Sequence, residues 1–286
     1  MIYLISNTRS GSYSAGKIAR IAEELESRGA DFSFGETVKH GHFVTLEIDP
    51  VSIREGDSIV AAGGDGTVNA CLQYIHDNQL AGKVKLGIIP LGTGNNLIGS
   101  LKLTKNIKKA VGIIVRAKTE KISYGLINDK KAFFNCSFGF TSFVLKNRKT
   151  NSLYGYAWDG LRLIPAFKGC NTVFAGTQKQ INIFAGFFIN TKFYLSKFKF
   201  IKINNSGTEL PFFYIERNNP VVNSIKSLSA LTGISKWSRM SETSYTFSLD
   251  KNCMLEIDGD VYVPEDHNGE YTLHNATTVE VITNNA

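Results

Sequence analysis

The sequence is poor in the features that mark secreted or membrane-spanning proteins. Its four cysteines, Cys71, Cys136, Cys170 and Cys253, are widely scattered and have no paired spacing. This pattern argues against a zinc site or a disulfide framework, and it predicts a reducing compartment. No apolar run approaches the ~20 residues that a membrane helix needs, and the first residues lack the basic start and the apolar length of a signal peptide. We therefore expect a cytoplasmic protein.

Linker-like segments are also scarce, because the chain of 286 residues has only six prolines and no low-complexity stretch or internal repeat. Its texture nevertheless changes near residue 120. Before that point, apolar strand-like runs alternate with helical patterns; after it, short runs of Phe, Tyr, Val, Ile and Thr are separated by Asn, Ser and Gly. The first pattern predicts an α/β domain over residues 1–122, and the second predicts an antiparallel β-sandwich over 123–286. We expect the two to pack closely, with a cleft between them.

The charge balance favours anionic partners. The formal net charge is +7 and the sequence pI is about 9.1, which suits a nucleotide, a phospholipid surface or a nucleic acid. Residues 192–202 mix lysines with aromatic residues, as a surface for anionic lipid or single-stranded nucleic acid would. The same alternation fits a strand with one buried and one solvated face, and we favour that interpretation.

Two glycine-rich loops carry the strongest functional signal. Gly63-Gly64-Asp65-Gly66-Thr67 follows the apolar run 58–62, and Leu91-Gly92-Thr93-Gly94-Asn95-Asn96 follows the apolar run 85–90. The segment between them, residues 68–78, has the apolar spacing of a helix. Short glycine motifs also occur as plain turns, but two in succession, each after a strand and before a helix, predict a phosphate site at neighbouring strand ends.

Backbone chemistry explains why such loops bind phosphate. Gly63, Gly64 and Gly66 can adopt positive φ, so their N–H groups can turn towards an anion. A helix beginning near Thr67 would add unpaired N–H donors and a positive dipole end. Asp65 would repel phosphate on its own, but a carboxylate and phosphate oxygens together form a ligand set that Mg²⁺ prefers.

These loops resemble the catalytic domain of the diacylglycerol kinase and sphingosine kinase family, and most of all its soluble bacterial lipid kinases. Four further segments carry the resemblance across the chain: Ser6-Asn7-Thr8-Arg9-Ser10-Gly11, Asn135-Cys136-Ser137-Phe138-Gly139-Phe140, Leu153-Tyr154-Gly155-Tyr156-Ala157 and Ile257-Asp258-Gly259-Asp260. The resemblance implies an α/β nucleotide-binding domain of the NAD kinase and diacylglycerol kinase type, followed by a β-sandwich domain, with the active site in the cleft between them.

The resemblance also implies ATP and Mg²⁺ as cofactors, with Asp65 as the metal ligand. It implies the following nucleotide-side residues: Asn7, Ser10, Gly11, Thr37, Gly63, Gly64, Asp65, Gly66, Thr67, Asn69, Gly92, Thr93, Gly94 and Asn95. Thr37 is equally well explained as a plain strand-end threonine.

A late acidic turn supplies candidates for the catalytic carboxylate. Phosphoryl transfer to a hydroxyl needs a group that accepts the hydroxyl proton, and the family usually has glutamate where this chain has Asp260. We name Asp260 as that group, keep Asp258 beside it, and count Asp65 with the catalytic residues. The alternative is an ordinary Asp-Gly-Asp hairpin turn with solvated carboxylates.

Several departures from the family concern the acceptor side. The stretch 204–208 has no carboxylate where the family's sandwich usually holds a structural Mg²⁺, so we expect that site to be missing. Asn96 and Thr141 also stand at positions that are commonly acidic. These changes predict a retuned pocket, so the resemblance does not fix diacylglycerol as the acceptor.

Three functions remain open. The first is an ATP-dependent kinase acting on a diacylglycerol-like or sphingoid-like lipid, in peripheral contact with an anionic membrane surface. The second is a soluble small-molecule kinase of the NAD kinase type, which shares the Gly-Gly-Asp-Gly-Thr loop; the Pro-Leu-Gly-Thr-Gly-Asn string argues against it. The third is a nucleotide-binding regulatory protein without catalysis. We expect no nucleic-acid partner, and a homodimer stays open.

Overall fold

The computed structural model describes residues 1–8, 13–40, 43–92, 101–149, 153–176, 179–191, 208–219, 222–223, 237–251, 253–262 and 269–284. Residue contacts divide the chain into two compact units. Unit 1 comprises Met1–Ser123 and Thr277–Ala286, and unit 2 comprises Tyr124–Ala276. The last ten residues therefore group with the N-terminal unit. The predicted domains, 1–122 and 123–286, stay a prediction.

Unit 1 is built on a mostly parallel sheet. Its described elements are β1 (Ile2–Ser6), α1 (Ala15–Glu26), β2 (Phe32–His40), β3 (Phe43–Leu46), β4 (Ser58–Gly63), α2 (Asp65–Asp77), β5 (Lys85–Pro90) and α3 (Ile107–Arg116), with a 3₁₀ turn at Pro50–Ser52. Strands β2, β1, β4 and β5 lie in that order and pair in parallel, and β3 pairs antiparallel with β2. The strands β1 and β4 are almost wholly buried, which is the pattern of a sheet covered on both faces.

The helices of unit 1 follow from apolar spacing and from caps. In α1 the residues Ile18, Ile21 and Leu25 recur at helical spacing and are buried, and the Ser14 side chain caps the first turn by accepting from the Lys17 N–H. The helix α3 buries a second apolar stripe and is capped by Asn106. Apolar periodicity and a capping side chain together account for both helices.

Unit 2 is rich in antiparallel strands. Strand β6 (Thr119–Ile127) begins in unit 1 and ends in unit 2, and the last strand, β16 (Glu270–Ile282), likewise belongs to both. Between them lie β7 (Lys131–Phe133), β8 (Asn135–Gly139), α4 (Phe140–Asn147), α5 (Leu153–Leu163), a 3₁₀ turn (Ile164–Ala166), β9 (Cys170–Phe174), β10 (Lys179–Ile189), β11 (Leu210–Glu216), β12 (Ser238–Glu242), β13 (Ser244–Leu249), β14 (Leu255–Ile257) and β15 (Asp260–Tyr262). The long strand β10 pairs antiparallel with β8, β9 and β11.

Aromatic rings fill the core of unit 2. The Phe138 ring stacks on that of Phe212 with centroids 5.8 Å apart, and Phe188 stacks on Phe212 at 4.4 Å. Gly186 lies among these rings, and a Cβ there would come within 2.8 Å of Phe138 and 2.9 Å of Phe212. The glycine is therefore needed for space, because no other residue would fit without moving the rings.

The cysteines differ from the expectation. Cys170, at the start of β9, and Cys253, just before β14, form a disulfide across a sequence separation of 83 residues. The prediction that the cysteines form no disulfide was wrong, and the argument for a reducing compartment loses its support. Cys71 and Cys136 are free and buried, as small apolar residues would be.

The predicted fold class, an α/β unit followed by a β-rich unit, is confirmed. The predicted feeder strands of both glycine loops appear as β4 and β5, and the helix between them appears as α2. Within the described part of the chain, no helix is both long and apolar enough to cross a membrane.

Candidate active site

The ends of three strands of unit 1, β1, β4 and β5, carry the first group of candidate site residues. Ser6 at the end of β1 is in register with Glu36 of β2 and with Ala62 of β4, and Gly63 of β4 is in register with Pro90 of β5. The residues that follow β1, β4 and β5 therefore emerge at the same edge of the sheet. In parallel α/β sheets, ligands bind at this edge.

The two glycine loops are joined by their backbones. The N–H of Leu91 donates to the Gly63 carbonyl at 2.9 Å, and the N–H of Gly92 donates to the same oxygen at 3.3 Å. A Cβ at Gly64 would lie 3.4 Å from the Gly92 Cα. The first loop and the start of the second are thus held together by their backbones. Gly63 and Gly92 are buried, Gly64 is half-buried and Gly66 is exposed.

The reason for glycine in the first loop differs from the prediction. Gly64 has a φ of −97°, and neither Gly63 nor Gly66 has the positive φ found at seven other glycines of the described chain. Space explains Gly63 instead, because a Cβ there would overlap the Thr67 hydroxyl and lie 2.7 Å from the Thr67 Cβ. The buried Thr67 side chain packs on the loop from the first turn of α2.

The N-terminus of α2 directly follows the first glycine loop. The helix begins at Asp65, two residues earlier than predicted, and its N-cap residue Gly64 provides no side-chain hydrogen bond. The first N–H groups of a helix left without a side-chain cap suit an anion, and the helix dipole adds to this. Asp65 is half-buried in the first turn, and Asn69 is buried one turn further on.

The other predicted nucleotide residues are placed as follows. Asn7 is half-buried directly after β1, next to the end of β4. Thr37 lies inside β2, where it pairs with Leu46 of β3, rather than at the strand end. The remaining predicted residues lie outside the described residues: Ser10, Gly11, Thr93, Gly94 and Asn95. The stretches 192–202 and 204–207 also lie outside them.

A separate group of candidate residues lies in the hairpin of β14 and β15, in unit 2. Ile257 pairs with Asp260 across the two-residue loop Asp258-Gly259, and both loop residues have positive φ, at 46° and 94°. This is the pattern of a type I′ turn, which Asp-Gly sequences favour. The predicted hairpin turn is therefore present, with its two aspartates in different surroundings.

Asp258 is buried and holds the turn in place. Its carboxylate oxygens accept hydrogen bonds from the N–H groups of Phe134 at 3.0 Å and Asn135 at 2.9 Å, and its own N–H donates to the Asn135 carbonyl at 3.0 Å. A carboxylate that accepts two backbone N–H bonds has less capacity to accept a further proton. Asp260 is exposed at the start of β15.

Glu256 is a buried acid that the sequence analysis missed. Its Oε2 accepts a hydrogen bond of 2.6 Å from the Ser137 hydroxyl, which lies 2.9 Å from the Thr141 hydroxyl. Burial is the largest cause that raises the pKa of Glu256 above its ordinary value of 4.5; the Ser137 hydrogen bond opposes this, and the charge of Asp258 adds to it. Side chains alternate between the two faces of a strand, so an acid between the apolar residues Leu255 and Ile257 is expected to face solvent. The sequence pattern therefore did not predict that Glu256 is buried.

Two further observations bound the site. Among the described residues, no group of three or more His, Cys, Asp or Glu side chains could hold a metal ion by itself. Mg²⁺ commonly binds through one or two carboxylates together with phosphate oxygens and water. A cavity of about 560 Å³ in unit 1 contains none of the predicted site residues; its lining includes Arg28, Thr104, Lys108, Lys109, Arg116 and Asn284.

Comparison with known proteins finds its family match in the N-terminal part of the chain. Residues 1–127 match the family model of the diacylglycerol kinase catalytic domain. The chain is 37% identical over 116 residues to a diacylglycerol kinase of Staphylococcus haemolyticus, covering 41% of this chain and 34% of that protein. It is 30% identical over 169 residues to a diacylglycerol kinase of Staphylococcus epidermidis, covering 57% of this chain and 51% of that protein. These matches thus span about half or less of the relatives' length.

A solved structure extends the likeness to the whole fold. The crystal structure of a diacylglycerol kinase from Bacillus anthracis superposes with a TM-score of 0.65, covering 99% of this chain and 97% of that one at 16% identity. At this identity the likeness concerns the fold. The resemblance stated from the sequence motifs is confirmed.

Proposed function

We propose that the chain, whose residues 1–127 match the family model of the diacylglycerol kinase catalytic domain, is an ATP-dependent lipid kinase. It transfers the γ-phosphoryl group of ATP to a hydroxyl group of a diacylglycerol-like or sphingoid-like lipid. The observation that carries this proposal is the pair of glycine loops, hydrogen-bonded to each other at Gly63 and Gly92, beside the N-terminus of α2, which has no side-chain cap.

The loops, the start of α2 and the neighbouring side chains have separate roles in the proposal. The N–H groups at the start of α2 and in the first glycine loop bind phosphate oxygens of ATP, because such N–H groups bind anions without a bulky side chain. Asp65 would hold Mg²⁺ together with those oxygens. When bound, the metal offsets the negative charge of the phosphates. Asn7 and Asn69 orient the loops or contact the nucleotide.

We assign the proton acceptor to Asp260. The lipid hydroxyl oxygen forms a bond to the γ-phosphorus, the bond from that phosphorus to the bridging oxygen breaks, ADP leaves, and the hydroxyl proton passes to the carboxylate. Asp260 is preferred over Asp258 because Asp258 already accepts two backbone hydrogen bonds. Since the acceptor is a lipid and the donor is ATP, we propose peripheral action at the cytoplasmic face of a membrane.

The test is transfer of labelled phosphate from Mg·ATP to diacylglycerol, sphingosine, ceramide and NAD, each supplied with mixed anionic micelles. We expect label on one of the lipids, and loss of transfer in Asp65→Asn. The control is Asp77→Asn, which makes the same charge change at the exposed far end of α2 and keeps an acceptor for Gln73. Label on NAD alone would contradict the lipid kinase and support the small-molecule kinase. Intact ATP binding without transfer would support the regulatory protein.

A further inference from the structure

Helix α5 exposes two large apolar side chains on one side. Trp158 is 72% exposed and Leu161 is 59% exposed, and both lie in unit 2. Residues three apart on a helix are neighbours on its surface, so the two side chains form one apolar patch. Tryptophan combines a large apolar ring with a polar N–H, which suits the boundary between membrane and water. We call these two residues the α5 patch.

Basic residues surround the α5 patch in the sequence. Between residues 140 and 169 the chain has a single acid, Asp159, and five basic residues: Lys146, Arg148, Lys149, Arg162 and Lys168. All five are exposed. The one acid is only 4% exposed, so it contributes little negative charge to the surface. The solvent-facing charge of this segment is therefore strongly positive.

Asp159 ties the basic segment to the helix that carries the apolar patch. Its Oδ2 accepts from the Lys149 backbone N–H at 2.8 Å, and its Oδ1 pairs with the Arg162 Nη2 at 3.3 Å. This buried carboxylate lies between Trp158 and Leu161 in the sequence, and it joins α5 to Lys149, two residues after the end of α4. These two contacts hold Arg162 and the backbone of Lys149 against the helix that carries the apolar patch.

We propose that the α5 patch, with the basic residues around it, docks on an anionic phospholipid bilayer. Trp158 and Leu161 are then inserted at the level of the lipid headgroups. Basic residues attract the negative leaflet, each contributing about a fivefold gain in binding, and the inserted apolar side chains add to it. The positive charge favours an anionic bilayer over a neutral one or over an apolar protein surface. The inference rests on the proposed function, because it names the surface on which the lipid acceptor would be met.

The test measures binding to vesicles of phosphatidylcholine alone and of phosphatidylcholine with phosphatidylglycerol, by co-sedimentation. We expect binding to the anionic vesicles, weakened on the order of tenfold by the combined variant Trp158→Ala and Leu161→Ala. The control is Phe34→Ala, which removes another exposed aromatic side chain, 57% exposed, in unit 1. Equal binding to both vesicle types, or equal binding by wild type and the combined variant, would overturn the proposal.

Tryptophan fluorescence locates the contact. The chain has only two tryptophans, and Trp237 is partly buried against Phe187 with ring centroids 5.3 Å apart. In a Trp237→Phe protein, we expect Trp158 emission to shift to the blue with anionic vesicles and to be quenched by brominated lipid. In a Trp158→Phe protein, the remaining Trp237 emission should not shift. An unchanged Trp158 emission on vesicles that bind the protein would overturn the proposal.

The two proposals fail differently. Phosphate transfer to a soluble short-chain acceptor without any vesicle binding would leave the kinase in place and overturn the docking face. Vesicle binding that depends on the α5 patch, without transfer to any acceptor, would support the docking face and count against the kinase. With both correct, the combined variant should lose activity on vesicle-borne lipid and keep it on the soluble acceptor.

Discussion

At the scale of single residues, the Asp258-Gly259-Asp260 turn gives two carboxylates different surroundings. Asp258 is buried and accepts two backbone N–H bonds, whereas Asp260 is exposed on the next strand. Sequence alone could not separate them, because both flank the same glycine. Their separation depends on Phe134 and Asn135, which are more than 120 residues away in the chain.

These surroundings predict that replacing Asp260 affects turnover, whereas replacing Asp258 affects stability. Asp260→Asn should lower turnover by about 10²–10⁴-fold and leave Mg·ATP affinity unchanged, because it removes only the proposed proton acceptor. Asp258→Asn should lower the free energy of unfolding by about 1–3 kcal/mol, because an amide NH₂ would face one of the two N–H donors. Steady-state kinetics, nucleotide titration and thermal unfolding of both variants measure this. Full turnover in Asp260→Asn would contradict the assignment.

Glu256 predicts a dependence of stability on pH. Its pKa is raised in the folded protein, so the folded state holds the proton more tightly than the unfolded chain does. Its contribution to stability is therefore complete below its ordinary pKa of 4.5 and is lost as the pH rises through the raised value. In Glu256→Gln, which keeps an acceptor for the Ser137 hydroxyl, this loss should disappear.

Denaturant unfolding of wild type and Glu256→Gln across a pH series measures the difference between them. We expect the stability of the variant to gain on that of wild type as the pH rises above 4.5. A difference that stays constant with pH would show that Glu256 does not titrate in this way.

At the scale of elements, the segment of β4, the first glycine loop and α2 needs glycine because the loop backbone lies close to the Thr67 side chain. Unusual backbone angles are not the reason. The sequence predicted the strand, the loop and the helix, because apolar runs and helical spacing are local signals. It assigned the wrong reason to the glycines, since the overlap between Gly63 and Thr67 is a packing contact that no local pattern reveals.

That contact predicts different outcomes for neighbouring glycines. Gly63→Ala should destabilise the protein by about 1–3 kcal/mol, because its methyl group would overlap the Thr67 side chain. Gly64→Ala should keep the stability and weaken Mg·ATP binding, because its methyl group only reaches contact distance from Gly92 and adds bulk between the loops. Thermal unfolding and nucleotide titration separate the two effects.

The control for this pair is Gly16→Ala in α1, where a Cβ would meet nothing within 4 Å. It should raise the stability slightly, since alanine favours a helix over glycine by about 1 kcal/mol. Equal behaviour of Gly63→Ala and Gly16→Ala would contradict the packing account.

At the scale of the whole molecule, the sequence predicted an α/β unit followed by a β-rich one, and both are present. It did not predict which residues far apart in the chain meet. The Cys170–Cys253 disulfide has a separation of 83 residues, and the last ten residues return to unit 1. Such pairings depend on the order of strands, which local composition does not encode.

The disulfide predicts a redox-dependent stability. Removing it with reductant or by Cys253→Ser should lower the free energy of unfolding by about 2–5 kcal/mol, because a long closed loop gains conformational freedom when unfolded. Thermal unfolding with and without reductant measures this, and the Cys253→Ser protein should show no further response to reductant. Alkylation of all four cysteines in the unfolded, unreduced protein would show that the bond is absent.

The most direct test of the proposed kinase activity is a single-turnover experiment, with protein in excess over Mg·ATP labelled at the γ-phosphate and with a diacylglycerol or sphingoid acceptor present. The label should move from ATP into the lipid-extractable fraction at a rate that depends on Mg²⁺ and falls in Asp260→Asn. Label that stays on bound ATP, or appears only as inorganic phosphate, would contradict phosphoryl transfer to a lipid hydroxyl.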